Sequence, residues 1–148
     1  MRMKGQALVE FALVIVLFLA LLIGLVIFSL AFYTYITLGH MARAGVSYMM
    51  DNALTLAEWN EQHPDQPDKP LKDYIKTLAG FLNTNEPYPM QIQVNPPPDQ
   101  RMPGGYFEVR VSYYFDYLSL SLPDPLSGRE IQVIRPIRIS AAAGSFFE

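Results

Sequence analysis

The stretch Lys4-Gly5-Gln6-Ala7-Leu8-Val9-Glu10-Phe11-Ala12-Leu13-Val14 decides how the rest of the chain is read. Arg2 and Lys4 precede a glycine, and a single acid, Glu10, sits inside a run that hydrocarbon would otherwise accept. After Glu10 no Asp, Glu, Lys or Arg occurs until Arg43. A carboxylate at bilayer depth costs roughly 2.5–3.5 kcal/mol at a helix centre and less toward an end. A simple anchor has no physical need of such a group. The first question the sequence poses is therefore what Glu10 pairs with.

Outward from this stretch, residues 11–38 are Leu, Ile, Val, Phe and Ala with few interruptions. The run exceeds the ~20 residues that a bilayer requires. A secretory signal peptide would carry an apolar region of only about 7–15 residues before a small-residue cleavage site. The spacing predicts a transmembrane helix in contact with the lipid bilayer. Arg2 and Lys4 lie before the span, so the positive-inside rule puts the N-terminus in the cytoplasm and the rest outside. Tyr33 and Tyr35 suit the outer interfacial belt, and Gly24 and Ser29 are candidates for a close helix contact.

The helical pattern continues past the apolar run. Leu38, Ala42, Val46, Met49, Ala53, Leu54 and Ala57 share one face, while His40, Arg43, Ser47 and Asp51 share the other. This predicts an amphipathic continuation to the mid fifties, within one long helix over 6–58. From Gln6 to Leu54 such a helix would measure roughly 70 Å at ~1.5 Å per residue. Met41, Met49 and Met50 read as core residues of that helix.

His63-Pro64-Asp65-Gln66-Pro67-Asp68-Lys69-Pro70 then forbids further helix. Asp68 is an expected N-cap for a short amphipathic helix carrying Leu71, Tyr74, Ile75, Leu78, Ala79 and Leu82 on one face. Beyond it the apolar period changes to two. Strands are predicted near 89–95, 106–116 and 130–140, with Pro96-Pro97-Pro98 and Pro103-Gly104-Gly105 between the first two. Pro136 predicts an edge or bulge, and Arg135, on the apolar parity, a bulge or buried pair. The expected class is α+β: a long N-terminal transmembrane and amphipathic helix, a short helix, and a small three-stranded antiparallel sheet. Residues 59–148 would form the extracytoplasmic domain.

Composition limits the chemistry. The chain has 148 residues and no cysteine, which excludes disulfides and thiolate metal sites. Beyond the apolar helix, eight basic residues face thirteen acidic ones, which argues against a nucleic-acid partner. His40 and His63 are the only histidines, and no Asp/Glu/His spacing suits a metal. No phosphate-cradling loop and no nucleophile with a nearby base stand out. No catalytic, cofactor-binding or metal-binding residue is expected, and no enzyme. Tyr113, Tyr114 and Tyr117 read as strand aromatics that pack with neighbours.

Lys4-Gly5 followed by Gln6-Ala7-Leu8-Val9-Glu10-Phe11 resembles a class III prepilin signature: a basic leader ending in Gly, then a glutamate at the fifth position after it. The wider pattern through Val14, with Phe32-Tyr33, Met41-Ala42-Arg43-Ala44-Gly45 and the tail Arg138-Ile139-Ser140-Ala141, is similar to the TadE-like pseudopilins of tight-adherence (Flp-type) pilus systems. The resemblance is specific over about residues 4–50. It implies that residues 1–5 are a leader, with leader charge at Arg2 and Lys4. It also implies cleavage between Gly5 and Gln6 by an inner-membrane prepilin peptidase, and docking of Glu10 on the N-terminal amine of a neighbouring subunit. Partners would then be other pilin subunits and the inner-membrane assembly platform, with passage from the cytoplasmic membrane into an extracellular pilus. The size of the chain suggests a minor pilin. The alternative is a bitopic membrane protein whose outer domain binds a partner without entering a filament.

Overall fold

The computed structural model describes residues 3–80, 82, 89–116, 120–123, 130–134 and 136–146, with side chains from Gln6 onward except in 120–123 and 130–134. The chain divides into two compact units, Met1–Tyr33 and Thr34–Glu148. Helix α1 spans Met3–Asp51, and its residues 3–33 are the helix of the first unit. No proline occurs before Pro64, so nothing removes a backbone donor along it. Residues 6–26 are all exposed, although every one of them except Gln6 and Glu10 is apolar or glycine. Phe28 and Phe32, one turn apart, stack at 6.2 Å. A Cβ added at Gly24 would meet nothing within 4 Å, so no close contact among the described residues explains that glycine.

In the second unit the character of α1 changes. Leu38, Met41, Ala42, Val46 and Met49 are buried, while His40, Arg43, Ser47 and Asp51 are exposed. This is the amphipathic face expected from the sequence. Met50, expected in the core, is exposed instead. Gly45 lies on the buried face because nothing larger fits: an added Cβ would stand 2.7 Å from Ile75 Cδ1 and 3.1 Å from Val109 Cγ1.

The helix does not continue unbroken to the mid fifties. It ends at Asp51, and a second helix, α2, runs Ala53–Gln62. At the junction the Asn52 side-chain amide donates to Tyr48 O at 3.0 Å, alongside its own backbone N–H. Asn side chains compete with backbone donors in this way and favour helix ends. The new helix has its own phase. Leu56 enters the core, whereas Leu54 and Ala57, expected on the apolar stripe, are exposed.

Helix α3, Lys69–Thr77, starts with Pro70 in its first turn, where a missing N–H costs little. Leu71, Ile75, Ala79 and Leu82 are buried at the expected spacing, and Tyr74 stacks on Tyr48 at 4.6 Å.

Strands β1 (Gln91–Asn95), β2 (Tyr106–Phe115) and β5 (Ile137–Phe146) form an antiparallel sheet in the order β1-β2-β5. Phe107, Val109, Val111, Tyr113 and Phe115 are buried, as period two requires. Val109 pairs with Val94 on one side and Ala143 on the other. The expected third strand over 130–140 is two strands. Its first part, β4 (Glu130–Ile134), pairs with β3 (Leu120–Pro123) in a separate antiparallel hairpin. Pro136, which cannot donate to a ladder, stands between β4 and β5. Arg135 and Tyr117 lie outside the described residues. The buried side of the three-stranded sheet, α3 and the second part of α1 share one core.

Candidate functional site

The N-terminal turns of α1 hold the candidate residues. Gly5 and Gln6 are both helical, so the expected cleavage position lies within α1. Arg2 is outside the described residues, and of Lys4 the backbone alone is described. Gln6 and Glu10 are four residues apart and therefore meet on one face. Gln6 Nε2 donates to Glu10 Oε1 at 3.2 Å. Among the described residues, Glu10 has no ion-pair partner, and its second carboxylate oxygen accepts no hydrogen bond. One amide bond leaves most of the carboxylate's hydrogen-bonding capacity open. The side chain is thus free to accept a cationic donor from another molecule.

Among the described residues, α1 is the one helix long and apolar enough to cross a membrane, with a mean hydropathy of 3.4 in its most apolar window. It is a candidate membrane span, consistent with membrane anchoring.

Comparison with known families bears on the same residues. Residues 5–47 match the family model described as TadE-like protein. The matched segment begins at Gly5 and includes Gln6, Glu10 and Gly45. The match covers 43 of the 148 residues, all within α1. Comparisons with curated proteins and with solved structures found no match.

No group of three or more His, Asp or Glu able to hold a metal occurs among the described residues. His40 is exposed, and His63 stacks on Trp59 at 4.0 Å.

The structure also assembles a polar cluster that sequence reading missed. The Arg101 guanidinium donates to both carboxylate oxygens of Asp68, Nη1 to Oδ1 at 2.7 Å and Nη2 to Oδ2 at 2.5 Å. Arg101 Nε donates to Pro96 O, and Asn60 Nδ2 to Asp68 Oδ1. The backbone N–H of Asp68 donates to Asn60 Oδ1 at 2.8 Å. Asp68 was expected to cap α3, but its side chain makes no cap bond. It adopts φ 57, which turns its carboxylate to Arg101 instead. Lys72 donates to Pro67 O at 2.7 Å. Burial alone would push the Asp68 carboxyl up. The hydrogen bonds from Arg101 and Asn60, with the charges of Arg101 and Lys72, outweigh burial and hold it below its ordinary value. The cluster ties α2, the turn before α3 and the proline loop together. No local pattern links Asp68 to Arg101, so only the tertiary fold reveals the pair.

Proposed function

We propose that the chain is a non-enzymatic, pilin-like subunit, a minor pilin or pseudopilin of a tight-adherence-type pilus. The observation that carries this reading is Glu10. It is an open carboxylate on an exposed, uniformly apolar helix, within the segment that matches the TadE-like model. Removal of residues 1–5 would create a cationic amine at Gln6. In the membrane, that amine on one subunit and Glu10 on a neighbour are each costly alone and tolerable as a pair. Leu, Ile and Val surfaces offer no register of their own, so the pair would align adjacent helices. The prepilin peptidase and the inner-membrane assembly platform are the partners this reading requires. The N-terminus would lie in the cytoplasm and residues 59–148 outside.

Processing tests it. Intact-mass analysis of the membrane-extracted protein should show loss of residues 1–5, and Gly5→Leu should block that loss, because a peptidase must approach the backbone closely there. Normal shortening of the Gly5→Leu variant would overturn the proposal. An unshortened wild type would favour a membrane-resident protein with an outer binding domain.

A further inference from the structure

We infer that the groove between α2 and the proline loop is a docking site for a cationic amphipathic helix of a partner protein. The groove encloses about 830 Å³. One wall is α2, which presents Leu54, Ala57 and Glu61 at helical spacing; the other carries Pro97, Asp99 and Met102. Leu54 is 83% exposed and Met102 71% exposed, whereas Leu56, on the same helix as Leu54, is buried in the core. A stripe of this kind on a short helix lacks a covering partner.

Three observations identify the occupant. The first is charge. Glu61 and Asp99 are exposed acids without an ion pair among the described residues. Arg101, the cation beside them, already binds Asp68 through both terminal nitrogens. The mouth is therefore anionic, which repels an anionic lipid surface and attracts Lys or Arg. The second is backbone chemistry. The prolines at 64, 67, 97, 98 and 103 carry no N–H, so this lining offers few donors for an added strand. A helix satisfies its own backbone and needs none, and an apolar stripe beside α2 suits helix-in-groove packing. The third is pre-organisation. The Asn60–Asp68–Arg101 cluster fixes α2 against the loop, so little ordering is left for binding to impose. Met102, flexible and polarizable, adapts to the side chains it receives. The site lies wholly in the second unit and does not depend on the role of Glu10.

The test uses the full chain in lipid nanodiscs and a displayed library of helical peptides about four turns long with randomised faces. Enriched peptides should carry Lys or Arg flanking an apolar stripe. Their affinity should fall about tenfold or more for Leu54→Asp and for the Glu61→Lys/Asp99→Lys double variant. These positions are exposed, so thermal unfolding of the variants should match wild type. Absence of enrichment, enrichment of acidic peptides, or equal binding to wild type and variants would overturn the inference. So would binding to empty nanodiscs at the same level, which would assign the peptides to the bilayer.

Discussion

Replacing Arg101 by Ala removes the centre of the polar cluster and leaves a carboxylate behind. Arg101 retains 12% and Asp68 4% of its side-chain surface. Breaking a buried pair by deleting one partner costs about 3–5 kcal/mol, because the other charge stays buried without compensation. Asp68 keeps its bond from Asn60, which places the expected loss near the lower end, about 3 kcal/mol. The effect depends on pH. In the wild type the folded pKa of Asp68 lies below its usual 3.8. The stabilisation it contributes is therefore present above the unfolded value and lost as pH falls through the folded one. In Arg101→Ala the strongest lowering contribution is gone and burial pushes the carboxyl up. The gap between wild type and variant should be widest near neutral pH and close as acid protonates Asp68. Asp68→Asn, a residue that tolerates φ 57, should abolish this pH dependence. The assay is denaturant unfolding of the full chain in detergent, followed by Trp59, the single tryptophan, whose Nε1 donates to Gln66 O at 3.2 Å. A gap below about 1 kcal/mol at neutral pH, the range of exposed ion pairs, would refute the reasoning. A gap that does not change in acid would do the same.

Two other substitutions probe the core. Gly45→Leu should cost about 3 kcal/mol in the same unfolding assay, since even its Cβ meets Ile75 and Val109 at the contact between α1, α3 and β2; a neutral result would mean that this contact is loose. Phe107→Ala, at a fully buried position on β2, should cost about 3–5 kcal/mol, and an unfolding midpoint equal to wild type would remove Phe107 from the core.

Much of this architecture was legible from period and punctuation. The change from 3.6 to 2 near residue 90 located the sheet, and alternation along 107–115 identified the buried side of β2 correctly. The exposed and buried faces of 38–49 were also readable, because Arg43 and Ser47 alternate with Ala42 and Val46 at helical spacing. The break at Asn52 was not, since its cause is one side-chain amide bonding to Tyr48 O rather than a proline or glycine. The second half of β5 escaped as well. Ala141, Ala142, Ala143 and Gly144 have little strand propensity of their own, yet each pairs with a residue of β2. Gly144 is required there, because a Cβ would collide with the Tyr106 hydroxyl and with Phe107 O. At the N-terminus the sequence singled out Glu10 by its isolation among apolar residues, and the structure adds its bond from Gln6. The Asp68–Arg101 pair was hidden by its separation in sequence.

The central claim is that Glu10 docks on a neighbouring subunit. It is tested most directly by recovery of wild type and Glu10→Ala in sheared surface filaments, normalised to the amount of each in the membrane. Two opposite charges in a medium of low effective dielectric attract by several kcal/mol, on the order of 4 at a separation of about 4 Å. Glu10→Ala should therefore insert as well as wild type, since a group costly to bury has gone, and retain a folded outer domain, yet be nearly absent from filaments. Equal recovery of the two proteins would contradict the claim.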